Sequence, residues 1–447
     1  MNLHSGSNNC RGRHFLGPVR LAVAWLAVCL FVQGSPRAGA VDVYVQLSQH
    51  GRRINIGVAV FTPVSGDIKE AETARKIQEV LRHDLLFTRY FNVSEIDASL
   101  KDKPDERKAK LMEAGQRGID VVVTGSVRIH KTECTLKAEL YDAQTGENIF
   151  NMTFKDSPEN YRAMAHELND EIVLRFTGIR GIAHTKIAFV NDNTGSKEIY
   201  VVDYDGHNLR KLTSLGSICL FPRWSPDGKK IIFTTYRYGN PDLYVMNADG
   251  SSVEGVSLRQ GLNTAAVWLP DGKSILLTMS GGATPQIYEI DTKGKIIRQL
   301  TMGRAIDTSP SVSPAGREFV FVSDRAGAPQ LYVSDVHGTN VRRLPTEGYV
   351  DSPSWSPRGD AVAFAMRPYG KNFFDIFLYG IANGSVRQMT FGSRSNESPS
   401  FSPDGRFIAY CSDPDRKKEI FLMFIDGSGQ RRVGGIKGNS SMPSWSP

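Results

Sequence analysis

The chain has 447 residues, of which 40% are hydrophobic and 23% charged, and a formal charge of +7. That composition can bury a core, and it excludes a disordered, collagen-like or multi-span membrane chain. The length suggests two or three domains, and the positive charge invites a nucleic-acid or membrane reading only if the charge belongs to the folded part.

Much of it does not. Residues 1–40 carry Arg11, Arg13, Arg20 and Arg37 and no acid. An apolar run from Val19 to Val32, broken only by Arg20, leads to Ala38-Gly39-Ala40. A basic start, a short apolar stretch and a small-residue site read as a secretory signal cleaved after Ala40. The run falls short of the roughly 20 apolar residues a membrane span needs. Losing those four arginines lowers the charge from +7 to +3, which removes the main support for an anionic polymer as partner. Cys134, Cys219 and Cys411 remain, far apart and without a CxxC pair. Buried free thiols are expected, with no zinc framework.

Residues 41–178 read as a small α/β domain of mixed sheet and helices. Arg53–Phe61 is an expected strand, ended by Thr62-Pro63. Lys69–Phe87 has Ile77, Val80, Leu81 and Leu85 on one helical face. Pro104–Gln116 is a polar helix, and Ile119–Arg128 an apolar strand. Cys134–Tyr141 and Ile149–Phe154 form a hairpin around Gln144-Thr145-Gly146. Ser157-Pro158 is expected to cap a last helix that runs through Phe176 and stops at Gly178. His166-Glu167 on that helix lacks a second histidine four residues on, so it is no zinc motif, and a solvated face is expected there. Residues 179–185 read as a linker.

From 186 to 447 the chain is periodic. Trp224-Ser225-Pro226-Asp227-Gly228 is echoed at Trp268, Val312, Trp355, Phe401 and Trp445, with prolines 44, 44, 43, 46 and 44 residues apart. Leu269 and Val312 depart from the consensus. A second series, from Ile199-Tyr200 to Ile420-Phe421, keeps the same register. Ser-Pro-Asp-Gly suits a type I turn, with proline setting φ at the second position and glycine at the fourth. Four short strands per repeat of about 44 residues are the pattern of a β-propeller blade, so six blades are expected. The array opens on Lys186–Val190 without a preceding Trp-Ser-Pro, and Trp445-Ser446-Pro447 has no strand after it. The C-terminal strand is therefore expected to complete the first blade and close the ring.

Catalytic signals are weak. The sequence contains no G-x-S-x-G elbow. Asn191–Gly195 resembles a calcium loop only faintly and suits a strand-connecting turn better. No catalytic residue, metal ligand or cofactor is assigned. What remains is a ring whose loops present a surface. Leu220, Thr264, Thr308, Asp351, Glu397 and Ser441 are expected to ring one mouth of the channel, flanked by Ile218, Asn263, Asp307, Tyr349, Asn396 and Ser440, mostly polar. The loops Tyr236–Asn240 and Arg367–Phe374 should lie on the same face and offer Tyr, Arg, Asn and Phe to a partner.

The signal, the small α/β domain, the six Trp/Phe-Ser-Pro-Asp-Gly repeats and the C-terminal closure together resemble the TolB family, periplasmic components of the Tol-Pal system. The resemblance spans essentially all of the chain after Ala40. It implies a non-enzymatic adaptor that supports outer-membrane integrity and constriction during division. It implies that the mouth binds the peptidoglycan-associated lipoprotein Pal, with Ile218, Phe221 and Thr264 at the family's key loop positions. Only Thr264 keeps the polar character expected there; Ile218 and Phe221 depart from it. It also implies that the segment from Val41 to about His50, beginning Val41, Asp42, Val43, Tyr44, Val45, couples to the inner-membrane protein TolA. The segment alternates like a strand, so it is able to add to a partner's sheet edge or fold back on its own domain. The alternatives are a propeller-containing periplasmic hydrolase and an outer-membrane assembly scaffold.

Overall fold

In the computed structural model, which describes residues 52–97, 99–100, 103–281, 284–392 and 394–447, the α/β domain builds outward from one strand. The expected signal and Val41–His50 lie outside the described residues. The central strand β1 (Ile54–Ala59) buries nearly every side chain. It pairs in parallel with β3 (Phe91–Ile96) on one side and β4 (Val121–His130) on the other. Thr62–Pro63, expected to end the first strand, forms a two-residue β2 that pairs with β4. β5 (Glu133–Asp142) and β6 (Asn148–Asp156) continue the sheet as antiparallel neighbours. The order is β3-β1-β4-β5-β6.

Helix α1 (Ile68–Thr88) starts where the Asp67 carboxylate accepts the Lys69 N–H, and it ends at Arg89 in a left-handed conformation. Its apolar stripe packs with α3 (Tyr161–Thr177) over Ile54, Ile56 and Val123. The opposite sheet face is covered by α2 (Pro104–Gln116) through Leu111 and Ala114. Glu70 is buried in α1, and its carboxylate accepts backbone N–H groups from Val64, Ser65 and Ile129. Burial alone would raise its pKa, but those hydrogen bonds outweigh it and hold the value below the usual range. The expected Ser157 cap does not form. A 3₁₀ turn, Pro158–Asn160, precedes α3, and the Ser157 side chain makes no capping bond. Gly178 ends α3 in the left-handed region, as read from sequence.

The second domain is a six-bladed propeller: six four-stranded antiparallel sheets. In the first repeat, β7 (Lys186–Asn191), β8 (Glu198–Asp203) and β9 (Arg210–Lys211) supply three strands, and Ser440–Trp445 supplies the fourth by pairing with β7. The seam is reinforced where Trp445 Nε1 donates to Thr185 Oγ1 at 2.8 Å and Asn191 Nδ2 donates to Ser440 Oγ at 3.0 Å. Each Ser-Pro-Asp-Gly closes as expected. Gly228 N donates to Ser225 O at 2.9 Å with φ +68°, and Gly405 repeats this on Ser402. The positive φ explains why glycine, and not merely a small residue, ends the turn.

The residues after α3 are strapped down. The Asp170 carboxylate accepts the backbone N–H of Ala183 and His184, at 2.9 and 3.0 Å. Phe87 of α1 stacks on Phe407 of the last blade, centroids 4.6 Å apart, under the Arg431 guanidinium at 4.1 Å. Among the described residues no helix is long and apolar enough to cross a membrane.

Candidate functional site

The innermost strand of each blade has the same irregularity. The pairing register shifts between Leu220 and Arg223, Thr264 and Val267, Thr308 and Ser311, Asp351 and Ser354, Glu397 and Ser400, and Ser441 and Ser444. At each shift one residue sits at positive φ: Phe221, Ala265, Ser309, Ser352, Ser398 and Met442, between +50° and +56°. None is glycine, and each such residue costs on the order of 1 kcal/mol. A bulge re-aims the side chains on either side of it. The six positions expected around the mouth are thus structurally equivalent: each is the last regular pair before the bulge.

The mouth residues are not equal in character. Asp351 is exposed, yet desolvation raises its carboxyl pKa, and the charge of Glu397 adds to the effect. Glu397 accepts from Lys418 Nζ at 2.9 Å. Burial works against the Lys418 ammonium, yet the hydrogen bond and charge of Glu397 prevail and raise its pKa. Thr264 Oγ1 meets Thr234 Oγ1 of the preceding blade at 3.2 Å. Phe221 occupies the bulge itself and is partly buried. Ile218 precedes its strand and is exposed, and its carbonyl accepts the Tyr236 N–H at 3.0 Å.

The flanking residues need correction. The position before each mouth residue is a buried slot, held by Cys219, Asn263, Asp307, Val350, Asn396 and Ser440. Asp307 is gripped there by Arg325 at 2.9 Å, and Asn396 donates to Asp375 at 2.9 Å. Asn263 and Asn396 thus bond to the preceding blade, Asp307 and Ser440 bond within their own, and all four are buried where a partner would not meet them. Ile218 and Tyr349 lie one residue earlier and stay exposed.

The two long loops do share this face, because they join the strand ends that pair with the mouth positions. Arg367 lies 4.6 Å from the Tyr349 ring centre, and Tyr349 packs edge-on to Tyr369 at 5.8 Å. Arg237 lies 5.3 Å from the Tyr238 ring centre, and that ring is 70% exposed. Exposed aromatic rings backed by arginines are suited to burial in an interface.

A second cluster lies between the domains and corrects the reading of His166. Its side chain is buried, not solvated. Nδ1 is 2.7 Å from Asp84 Oδ2, and Nε2 is 3.6 Å from Asp205 Oδ2. Tyr204 donates to the other Asp84 oxygen, and Arg162 pairs with Asp205. Burial would raise the Asp205 pKa, but the Arg162 and His166 charges outweigh it and lower the value. Asp84, His166 and Asp205 have the spacing of a metal site, but Arg162 already supplies the cation. The arrangement acts as a hydrogen-bonded interdomain lock. Cys134, Cys219 and Cys411 are buried and free, with pKa values pushed up by burial to about 11, 11 and 12.

Residues 173–447 match the family described as the TolB beta propeller domain. The chain belongs to the TolB family. Residues 44–149 match the TolB amino-terminal domain. A curated relative from Geobacter sulfurreducens, named Tol-Pal system protein TolB, is 37% identical over 217 residues, 48% of this chain and 50% of that protein. One of the same name from Desulfosudis oleivorans is 33% identical over 42% of this chain and 44% of that protein. The chain thus spans about half the length of the curated relatives it matches. The crystal structure of TolB from Acinetobacter baumannii superposes with a TM-score of 0.75 at 27% identity, covering 89% of this chain and 97% of that one.

Proposed function

We propose that this TolB-family protein is a non-enzymatic adaptor of the Tol-Pal trans-envelope complex, located in the periplasm. The propeller mouth binds the lipoprotein Pal, and the segment Val41, Asp42, Val43, Tyr44, Val45 couples to TolA. Through these two attachments it supports outer-membrane integrity and constriction during division. Association with the outer membrane runs through Pal and not through a span of its own.

The observation that carries this reading is the mouth. Six bulged strands bring Thr264, Thr308, Asp351, Glu397 and Ser441, together with Leu220, to equivalent positions on one rim. Ile218 and the Tyr349–Arg367–Tyr369 group stand beside that rim. A rigid rim with polar tips and exposed rings is a ready interface, because little side-chain freedom is lost on docking. The test is co-purification of a Pal-type lipoprotein with wild type, Thr264→Arg and Glu397→Lys. Both variants are expected to weaken the pair by about tenfold or more. Normal binding by both variants would move the site off this rim.

A further inference from the structure

The propeller channel contains a feature that the mouth reading does not use. Three residues after each rim position, past the bulge, the innermost strands present Arg223, Val267, Ser311, Ser354, Ser400 and Ser444 to a cavity of about 390 Å³. These are the six equivalent positions just before the repeat aromatic. Five are uncharged and one is arginine. The rest of the lining is proline, serine and aromatic or aliphatic side chains, with no side-chain carboxylate. Neither Asp351 nor Glu397 lines this cavity.

Arg223 is a partly exposed cation on the wall of this open cavity, and among the described residues no side-chain carboxylate pairs with it. Among the described residues its side chain makes one hydrogen bond, from Nη1 to the neighbouring Pro222 carbonyl at 2.9 Å. A guanidinium has five N–H donors, so four remain for other acceptors. Desolvation by the surrounding channel wall pushes its pKa down to about 10. The serines opposite are prepared to donate as well. Ser311 Oγ accepts the Trp355 N–H at 2.9 Å, and Ser400 Oγ accepts the Trp445 N–H at 3.0 Å. Each hydroxyl proton is then left over for another acceptor. A partly desolvated cation gains free energy when an anion pairs with it. A planar fork fits two oxygens of one anion better than it fits a single atom.

We propose that the end of the propeller channel opposite the mouth binds a small oxyanion of the carboxylate or phosphate class, held by the Arg223 guanidinium with serine hydroxyls completing its shell. The site is separate from the mouth and does not depend on which partner docks there. One charge, one valine and four serines around a pseudo-six-fold axis make it asymmetric, so the anion sits to the Arg223 side.

The test is calorimetric titration of sodium phosphate, and separately of sodium acetate, into the full chain at constant ionic strength. Wild type is expected to give a saturable isotherm with at least one of the two. Arg223→Gln is expected to weaken it by about tenfold or more, as for the loss of a charged hydrogen-bonding group. Arg223→Lys should retain part of the affinity, since it keeps the charge but loses the fork. No saturable heat in wild type with either salt, or an unchanged isotherm in Arg223→Gln, overturns the proposal. If Arg223→Gln does not fold, crystals of wild type grown in sodium bromide decide the matter. An anomalous peak within hydrogen-bonding distance of the guanidinium supports the site, and water alone in that position refutes it.

Discussion

Ring closure rests on a non-covalent seam, and Trp445 is the side chain that holds it. The indole is 5% exposed and lies 6.2 Å from the Phe407 ring, centre to centre. Its Nε1 donates to the buried Thr185 hydroxyl at 2.8 Å, and its backbone N–H donates to Ser400 Oγ at 3.0 Å. Trp445→Ala empties a core site, which costs ~3–5 kcal/mol. It also removes a buried hydrogen bond, for ~1 kcal/mol more. The total of ~4–6 kcal/mol is a large share of the ~5–15 kcal/mol that stabilises a typical domain. Trp355→Ala is the control. Trp355 is 8% exposed, but its strand is joined to the next by a tight turn within one repeat, and among the described residues its Nε1 has no hydrogen-bond partner. Urea unfolding should show a large loss for both variants. Amide hydrogen exchange should separate them: protection across Lys186–Asn191 should collapse in Trp445→Ala and persist in Trp355→Ala. Unchanged protection of that strand in Trp445→Ala would refute the idea that this indole latches the ring.

Three further outcomes follow from the same geometry. Burial opposes the His166 imidazolium, but the hydrogen bond and charge of Asp84 prevail, with Asp205 adding and Arg162 opposing, so its pKa is raised in the folded protein. A raised value means that His166 contributes its stabilisation fully below its unfolded pKa of about 6.5 and loses it as pH climbs through the folded value. Urea midpoints should therefore fall across that window in wild type, and His166→Gln should flatten the fall; an undiminished slope in the variant would assign it to another group. In Gly181→Ala, the added methyl would sit 2.2 Å from Asp170 Oδ1, so the strap after α3 must shift. A loss of ~1–3 kcal/mol by thermal or urea unfolding is expected, and a variant as stable as wild type would show that the strap yields freely. Cys134, Cys219 and Cys411 should resist a thiol reagent at pH 8 in the native protein and react once it is unfolded, because burial holds each as the neutral thiol.

The propeller was legible because its punctuation is chemical. Six copies of a proline–glycine turn, in phase with six aromatic pairs, leave one architecture that fits, and the unmatched strands at 186 and 445 dictate the closure. The helices were legible from their stripes and from Gly178. β3 was missed because Phe91–Ile96 buries little beyond Phe91 and follows α1 with no glycine or proline between them. His166 was misread because α3 is buried on two sides, against its own sheet and against the propeller. A polar residue on such a helix looks solvated until the second neighbour is known. The same reason hid Lys418 and Arg325, whose partners Glu397 and Asp307 lie 21 and 18 residues away in sequence. The bulge left no local signal either. Phe, Ala, Ser and Met occupy the left-handed positions, where glycine or asparagine would have announced them.

The central claim is that the rim of the propeller is the surface that binds Pal. Its most direct test is calorimetry of the purified chain against the soluble part of a Pal-type lipoprotein from the same source, with wild type and Thr264→Arg compared at equal salt. The account predicts a one-to-one complex with wild type and an affinity lower by about tenfold or more for the variant, with both proteins unfolding at the same urea concentration. Equal affinities, or no complex with wild type, would contradict it.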